Sequence, residues 1–268
     1  MEKKQNINLA SKFFTNKRRS FIIFLVLFVL VSYISKELID FKFLVIFTKF
    51  NQAFTRFVSL YLPPAFKNFN ELLIALWDTF ILSVSAGVIG SALAYIAALI
   101  ISKKTTFSRI LGIIVRFLSN FVRNVPSTVW AMILLLSFWF GDFLALVVLA
   151  LGSFGFNARV FADTFDEVSP DMLEAMDAVG ATRFQKIAQA IYPETFPTIL
   201  SWTLYAIETN IRDATIVGML AGGGIGYLLG IFRNFRRFDE LTAAVILIVI
   251  LVISFDRLSD YIRRKLAI

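Results

Sequence analysis

Neither cysteine nor histidine occurs anywhere in the 268 residues, and charged residues make up only 17% of them. The missing cysteine excludes disulfides and thiolate metal sites, and the missing histidine removes the commonest general base and metal ligand. Most hydrolytic chemistries lose their usual constellation with them. The scarce charge is gathered in short clusters, whereas a water-exposed surface would spread it along the chain. What fills the space between clusters is apolar: 58% of residues are hydrophobic, which places the chain among membrane proteins.

A helix that crosses about 30 Å of hydrocarbon needs about 20 mostly apolar residues, so the runs can be counted directly. They are Phe21 to Ser35, Leu73 to Ser102, Leu111 to Phe140, Phe143 to Phe161, Phe196 to Leu220 and Leu241 to Ile262, six in all. The expected fold class is an all-α membrane protein of about six transmembrane helices, with little length left for a soluble domain. The net charge of +8 is read as topology and not as a nucleic-acid footprint, because many Lys and Arg residues flank the apolar runs. Lys3, Lys4, Lys12, Lys17, Arg18 and Arg19 precede the first run. Lys36, Glu37 and Leu38, which follow it, do not resemble a small-residue cleavage site. The run is therefore expected to be a retained first helix with its N-terminus in the cytoplasm. Six spans return Arg257, Arg263, Arg264 and Lys265 to that side, together with Lys103, Lys104 and Arg109. Arg233, Arg236 and Arg237 fall in the last outer loop against this bias, either as charges that tolerate export or as a lure for anions.

Two segments between the spans carry further pattern. Lys42, Lys49 and Arg56 recur at seven-residue intervals within Phe41 to Tyr61, which predicts an amphipathic helix in the outer interface, ended by Pro63 and Pro64. The longest inner loop, Ala162 to Glu194, is acidic where the other inner segments are basic. Ser169 is placed to cap a helix with Pro170 first and Asp171 in the first turn, and Gly180 is suited to end it. Thr182 with Gln185 forms a second capping box, and Pro193 is expected to stop the second helix. The loop thus reads as a helix-turn-helix elbow whose apolar stripe, Met172, Ala175, Met176 and Val179, either packs on the protein's own helices or meets a partner.

Glu174, Ala175, Met176, three residues, Gly180, twelve residues and Pro193 resemble the EAA loop of bacterial ABC importer permeases. Met176, Ala190 and Tyr192 stand where that family more often has Ala, Ile and Leu. Further along, Arg123-Asn124-Val125-Pro126, Val129-Trp130-Ala131, Glu208-Thr209-Asn210-Ile211-Arg212 and Gly222-Gly223-Gly224-Ile225-Gly226 look like the phosphonate importer permeases. The likeness runs from about Leu73 to the C-terminus. It implies a MetI-like permease bundle of the type I importers, divided into an anchor with its outer segment, 1–72, and a permease core, 73–268, with a coupling loop at 162–194.

In that family the elbow docks into a groove of a cytoplasmic ATPase, so Glu174, Ala175, Met176, Gly180 and Pro193 are the implied coupling residues. The resemblance also implies an ATPase dimer, an extracytoplasmic solute-binding protein and a second permease copy or close paralogue, in a bacterial inner membrane. ATP would be bound by the ATPase, and no cofactor, metal or nucleic acid is expected on this chain. The implied cargo is phosphonate, with phosphite, phosphate or another small solute such as an amino acid as alternatives.

The fifth span stands out on physical grounds as well. Glu208, Arg212 and Thr215 share one helical face, with Asn210 and Asp213 nearby, inside a run rich in Leu, Ile, Val and Trp. An intramembrane Arg costs about 2.5 to 3.5 kcal/mol on insertion scales, so this group faces the protein interior, a partner or water. It is either a self-neutralising pair or the wall of an anion pathway, with Glu208, Asn210, Arg212 and Thr215 as the candidates. Gly222, Gly223, Gly224 and Gly226 lack the Gly-Lys-Ser or Gly-Lys-Thr ending of a phosphate loop and are read as a helix break that permits bending or close packing. An intramembrane hydrolase is the remaining alternative class. It lacks a histidine, and Gly141-Asp142 lacks the preceding glycine of aspartyl intramembrane proteases.

Overall fold

The computed structural model describes residues 2–38 and 43–265, with side chains at 17–38 and 47–265. Phe41 and Lys42 of the expected outer helix therefore lie outside the described residues, as do the side chains of Lys3, Lys4 and Lys12. The chain divides into two compact units, Met1–Ser59 and Leu60–Ile268.

In the first unit, α1 (Glu2–Leu38) contains no Pro or Gly and holds the apolar run Phe21 to Ser35. Its stretch Lys17–Leu38, 22 residues long, is apolar enough to cross a membrane. Next comes α2 (Phe43–Tyr61), on which Phe47, Phe50, Phe54 and Phe57 recur at helical spacing, with Lys49 and Arg56 two turns apart. Pro63 and Pro64 follow its end.

The second unit begins with α3 (Phe69–Ile101), α4 (Arg109–Asn124), α5 (Ser127–Phe138) and α6 (Asp142–Glu167). It continues through α7 (Pro170–Ala178), α8 (Arg183–Lys186), a π turn at Ile187–Ile191, α9 (Tyr192–Ala221), α10 (Gly224–Asn234) and α11 (Phe238–Lys265). Helices α3, α6 and α9 form its centre. In lipid there is little hydrophobic drive between helices, so association rests on close packing and interhelical hydrogen bonds. The α3 face Ala86, Gly90, Ser91, Ala94, Ala97 and Ala98 is buried and small. At Gly90 a side chain would meet the Ala150 carbonyl oxygen at 2.5 Å, so α6 lies against bare backbone. Polar links cross this core, among them Asn157 Nδ2 donating to Ser91 Oγ at 2.8 Å and Asn210 Nδ2 donating to Ser153 Oγ at 2.9 Å. Each is worth about 0.6 kcal/mol by the bilayer average.

Five expected spans lie in single helices, at α1, α3, α6, α9 and α11, and two helix pairs, α4 with α5 and α9 with α10, are bent. The run Leu111 to Phe140 is not one straight helix: α4 and α5 meet at 97°. Pro126 is the cause, since it has no N–H to donate and forces Val125 into an extended conformation (φ −88°, ψ 122°). The second pair bends by 56° between α9 and α10, where Gly222 takes a left-handed conformation at φ +85°. Pro193 does not stop the elbow's second helix either. It stands in the first turn of α9, just past the π turn, where its missing donor is tolerated and the chain runs on into the fifth span. The segment expected as the last outer loop is mostly helix, with Arg233 in the last turn of α10.

Candidate functional site

The elbow at 162–194 grows out of α6. Asp166, near the end of that helix, accepts from Ser102 Oγ at 2.7 Å and from the Lys103 amide at 2.8 Å, while Lys104 Nζ donates to the Asp166 carbonyl at 2.6 Å. These bonds lock the α3–α4 turn against the elbow's root. Ser169 occupies the N-cap of α7, but its side chain makes no capping bond among the described residues; Pro170 opens the helix as its composition dictates. Gly180, at φ +73°, turns the chain, with its N–H on Asp177 O at 2.9 Å and the Ala181 N–H on Met176 O at 3.0 Å. The Thr182–Gln185 capping box is formed in both directions: the Thr182 N–H donates to Gln185 Oε1 at 2.7 Å and the Gln185 N–H to Thr182 Oγ1 at 3.4 Å.

Caps alone contribute about 1 kcal/mol each, and a nine-residue helix is marginal in isolation. What holds α7 is Leu173 and Ile187, packed onto the buried cluster of Phe161, Phe165, Val168 and Ile191, together with the Lys186–Asp177 ion pair that ties the two arms. The opposite face stays uncovered. Glu174, Ala175 and Pro193 are exposed and Met176 is half-buried, while Val179 and Phe184 are each 78% exposed. The stripe inferred from spacing is thus split: Met176 is partly covered, and Ala175 and Val179 look outward with Phe184, which the pattern alone did not single out.

On α9, Glu208 and Arg212 form an ion pair one turn apart, with the Arg212 side chain 51% exposed and that of Glu208 only 12%. Thr215 Oγ1 donates to the Arg212 carbonyl at 2.7 Å, completing the shared face. Asn210 turns the other way. It is buried, bonded to Ser153 and, through Nδ2, to the Ser83 carbonyl at 3.3 Å. The structure therefore brings together Glu208, Arg212 and Thr215, and puts Asn210 into the packing of α3, α6 and α9. Beside it a cavity of about 160 Å³ is lined by Ser127, Tyr205, Thr209 and Asp213 among others. Ser127 was legible only as the residue after Pro126, where the break in the helix exposes the start of α5 to this cavity.

The glycine corner closes the far end of α9. The Gly222 N–H bonds to Gly218 O at 2.9 Å, the Gly141 N–H to Ala221 O at 2.6 Å, and the Ile225 N–H to Thr79 Oγ1 at 2.8 Å. Gly223 and Gly224 lead into α10, and Gly226 packs so closely that a side chain there would lie 2.5 Å from Thr215 O. Beyond it, Arg237 donates from Nε to the buried Glu240 at 2.7 Å, whose carboxylate also pairs with Lys67 at 3.8 Å. Arg233 and Arg236 remain exposed.

Residues 88–268 match the family described as binding-protein-dependent transport system inner membrane component. The phosphate-import permease protein PhnE of Mycolicibacterium smegmatis is 33% identical over 80% of this chain, which spans 40% of that protein's length. The phosphite transport system permease protein PtxC of Stutzerimonas stutzeri is 28% identical over 76% of this chain and 74% of its own. A crystal structure of the MetNI methionine ABC transporter in an inward-facing conformation superposes with a TM-score of 0.66 at 21% identity, over 73% of this chain and 95% of the other. That likeness shows the expected MetI-like permease bundle.

Proposed function

The chain belongs to the family of binding-protein-dependent transport system inner membrane components, and we propose that it is the membrane-spanning subunit of an ATP-driven importer for a phosphorus oxyanion. It is a multi-pass membrane protein. In this reading the elbow lies in the cytoplasm with both termini and docks on a separate ABC ATPase dimer. That dimer binds and hydrolyses ATP, an extracytoplasmic binding protein delivers the solute, and a second permease copy completes the pathway.

One observation carries the reading: the elbow is built rigidly on the buried core through Leu173 and Ile187, yet leaves an acidic and apolar face of Glu174, Ala175, Val179 and Phe184 uncovered. A helix pair held by its back and open at its front transmits displacement to the helices beneath it. Ala175 fits close docking because a bulkier side chain would hold two surfaces apart.

The oxyanion assignment is supported by relatives whose names specify phosphate and phosphite import. The cation Arg212, half exposed on a span, suits such an anion's oxygens. A second reading, an amino-acid cargo, is favoured by the probable D-methionine permease protein MetI of Vibrio cholerae, 29% identical over 74% of this chain. Reconstitution with its ATPase and binding protein decides between them. Phosphate, phosphite or a phosphonate should stimulate ATP hydrolysis and methionine should not, and the reverse result selects the second reading. Glu174→Arg should abolish both association with the ATPase and transport; retained association would sink the docking role of the elbow.

A further inference from the structure

At the elbow end of the unit, between the end of α3 and the first three turns of α4, lies an open cleft of about 440 Å³. Lys103, Arg109 and Arg116 all line it, and no carboxylate does. The remaining polar lining is Thr106 and Asn120, while Ile113 and Phe117 form an apolar strip.

The cations converge because of local structure. Arg109 and Arg116 are seven residues apart on α4 and so share a face. Gly112 between them lets that helix close on α3, since a side chain there would meet the Ile100 carbonyl at 2.9 Å. Lys103 is positioned by its own backbone, whose N–H is fixed on Asp166.

The three cations are poorly neutralised. Arg116 donates from Nη2 to the Ile101 carbonyl at 3.3 Å, and among the described residues none of the three has a carboxylate partner. Neighbouring Lys104 is different, its ammonium spent on the carbonyls of Asp166 and Val168. Arg116 also stands about 10 Å along the helix axis from Arg109, at about 1.5 Å per residue, which sets it deeper in a membrane-spanning segment where an uncompensated guanidinium is costly.

The surroundings specify the ligand. Ile113 and Phe117, which line the cleft, are exposed, as are their chain neighbours Phe107 and Ile110, so it opens onto an apolar exterior. A free anion gains nothing from that strip, whereas an amphiphile satisfies both halves. We infer that this cleft is a binding site for one anionic phospholipid, with its phosphodiester held by Lys103, Arg109 and Arg116 and an acyl chain lying along Ile113 and Phe117. The site is separate from α9 and the uncovered face of the elbow, and it does not depend on the cargo or the ATPase partner.

The test is native mass spectrometry of the full-length chain, purified in detergent, stripped of lipid and titrated with phosphatidylglycerol, phosphatidylcholine or inorganic phosphate. One phosphatidylglycerol should bind in clear preference to phosphatidylcholine, and a large excess of inorganic phosphate should not displace it. Lys103→Gln, an exposed position that leaves the helices untouched, should weaken binding roughly fivefold, the equivalent of about 1 kcal/mol per basic residue at a membrane surface. On the same basis the R109Q/R116Q double variant should weaken it roughly thirtyfold. Arg264→Gln, an exposed cation at the end of α11 outside the cleft, should change nothing. Equal retention of the two lipids, displacement by inorganic phosphate, or a Lys103→Gln variant that binds like the parent chain would overturn the proposal. So would an Arg264→Gln variant weakened as much as Lys103→Gln.

Discussion

Arg212 presents half of its side chain outward while its partner Glu208 is nearly covered, and this asymmetry defines what its removal should do. If the guanidinium contacts the cargo's oxygens, Arg212→Ala loses a charge-assisted hydrogen bond of about 1.5 to 3 kcal/mol and transport slows roughly ten- to a hundredfold. Assembly with the ATPase, read by co-purification, should persist. The double variant E208Q/R212A separates this from a purely structural pair: it should stay as slow as Arg212→Ala, whereas a self-neutralising staple would regain activity once both charges are gone. The pairing of Glu208 with Arg212 was legible in the sequence, because opposite charges four residues apart on a helix meet and charges inside an apolar run are expensive. The fate of Asn210 was not. Its spacing puts it near the same group, but which flank of α9 meets Ser83 and Ser153 depends on how α3 and α6 pack.

At the scale of elements, glycines in similar helices carry opposite expectations. A side chain at Gly226 would press on the carbonyl oxygen of Thr215 at 2.5 Å, whereas one at Gly152 would meet nothing within 4 Å. Gly226→Ala should therefore destabilise the protein by about 1 to 3 kcal/mol through forced separation of α10 from α9. Gly152→Ala should be neutral or stabilising by up to about 1 kcal/mol, because alanine suits a helix interior better. Thermal unfolding in detergent, followed by fluorescence, checks the pair, and equal melting temperatures would contradict the packing. Apolar content alone revealed the six membrane runs, since helix crossing is a matter of length and composition. The 97° break inside the third run was hidden. Its halves differ, since α4 carries Arg116, Asn120 and Arg123 while α5 is apolar from Val129 to Leu136, but neither that contrast nor a proline gives the angle at which the two meet. The π turn before Pro193, where Ala190 and Ile191 are buried, was equally silent in the residue pattern.

For the molecule as a whole, the coupling proposal concerns the two outward apolar side chains of the elbow. Val179 and Phe184 are so exposed that replacing both by Glu should leave the fold intact. V179E/F184E should nevertheless abolish co-purification of the ATPase, and an unchanged yield of the complex would show that the motor docks elsewhere. One geometrical property of α9 bears on how such docking would be felt. This helix is 30 residues long, about 45 Å at about 1.5 Å per residue, and joins the elbow directly to the Gly222 corner without an intervening loop. It is in effect a crank: a tilt of about 10° at the elbow end sweeps the opposite end through roughly 8 Å, given that length. On the proposed docking, a small stroke at the elbow would thus become a displacement of several ångströms at the Gly222 corner.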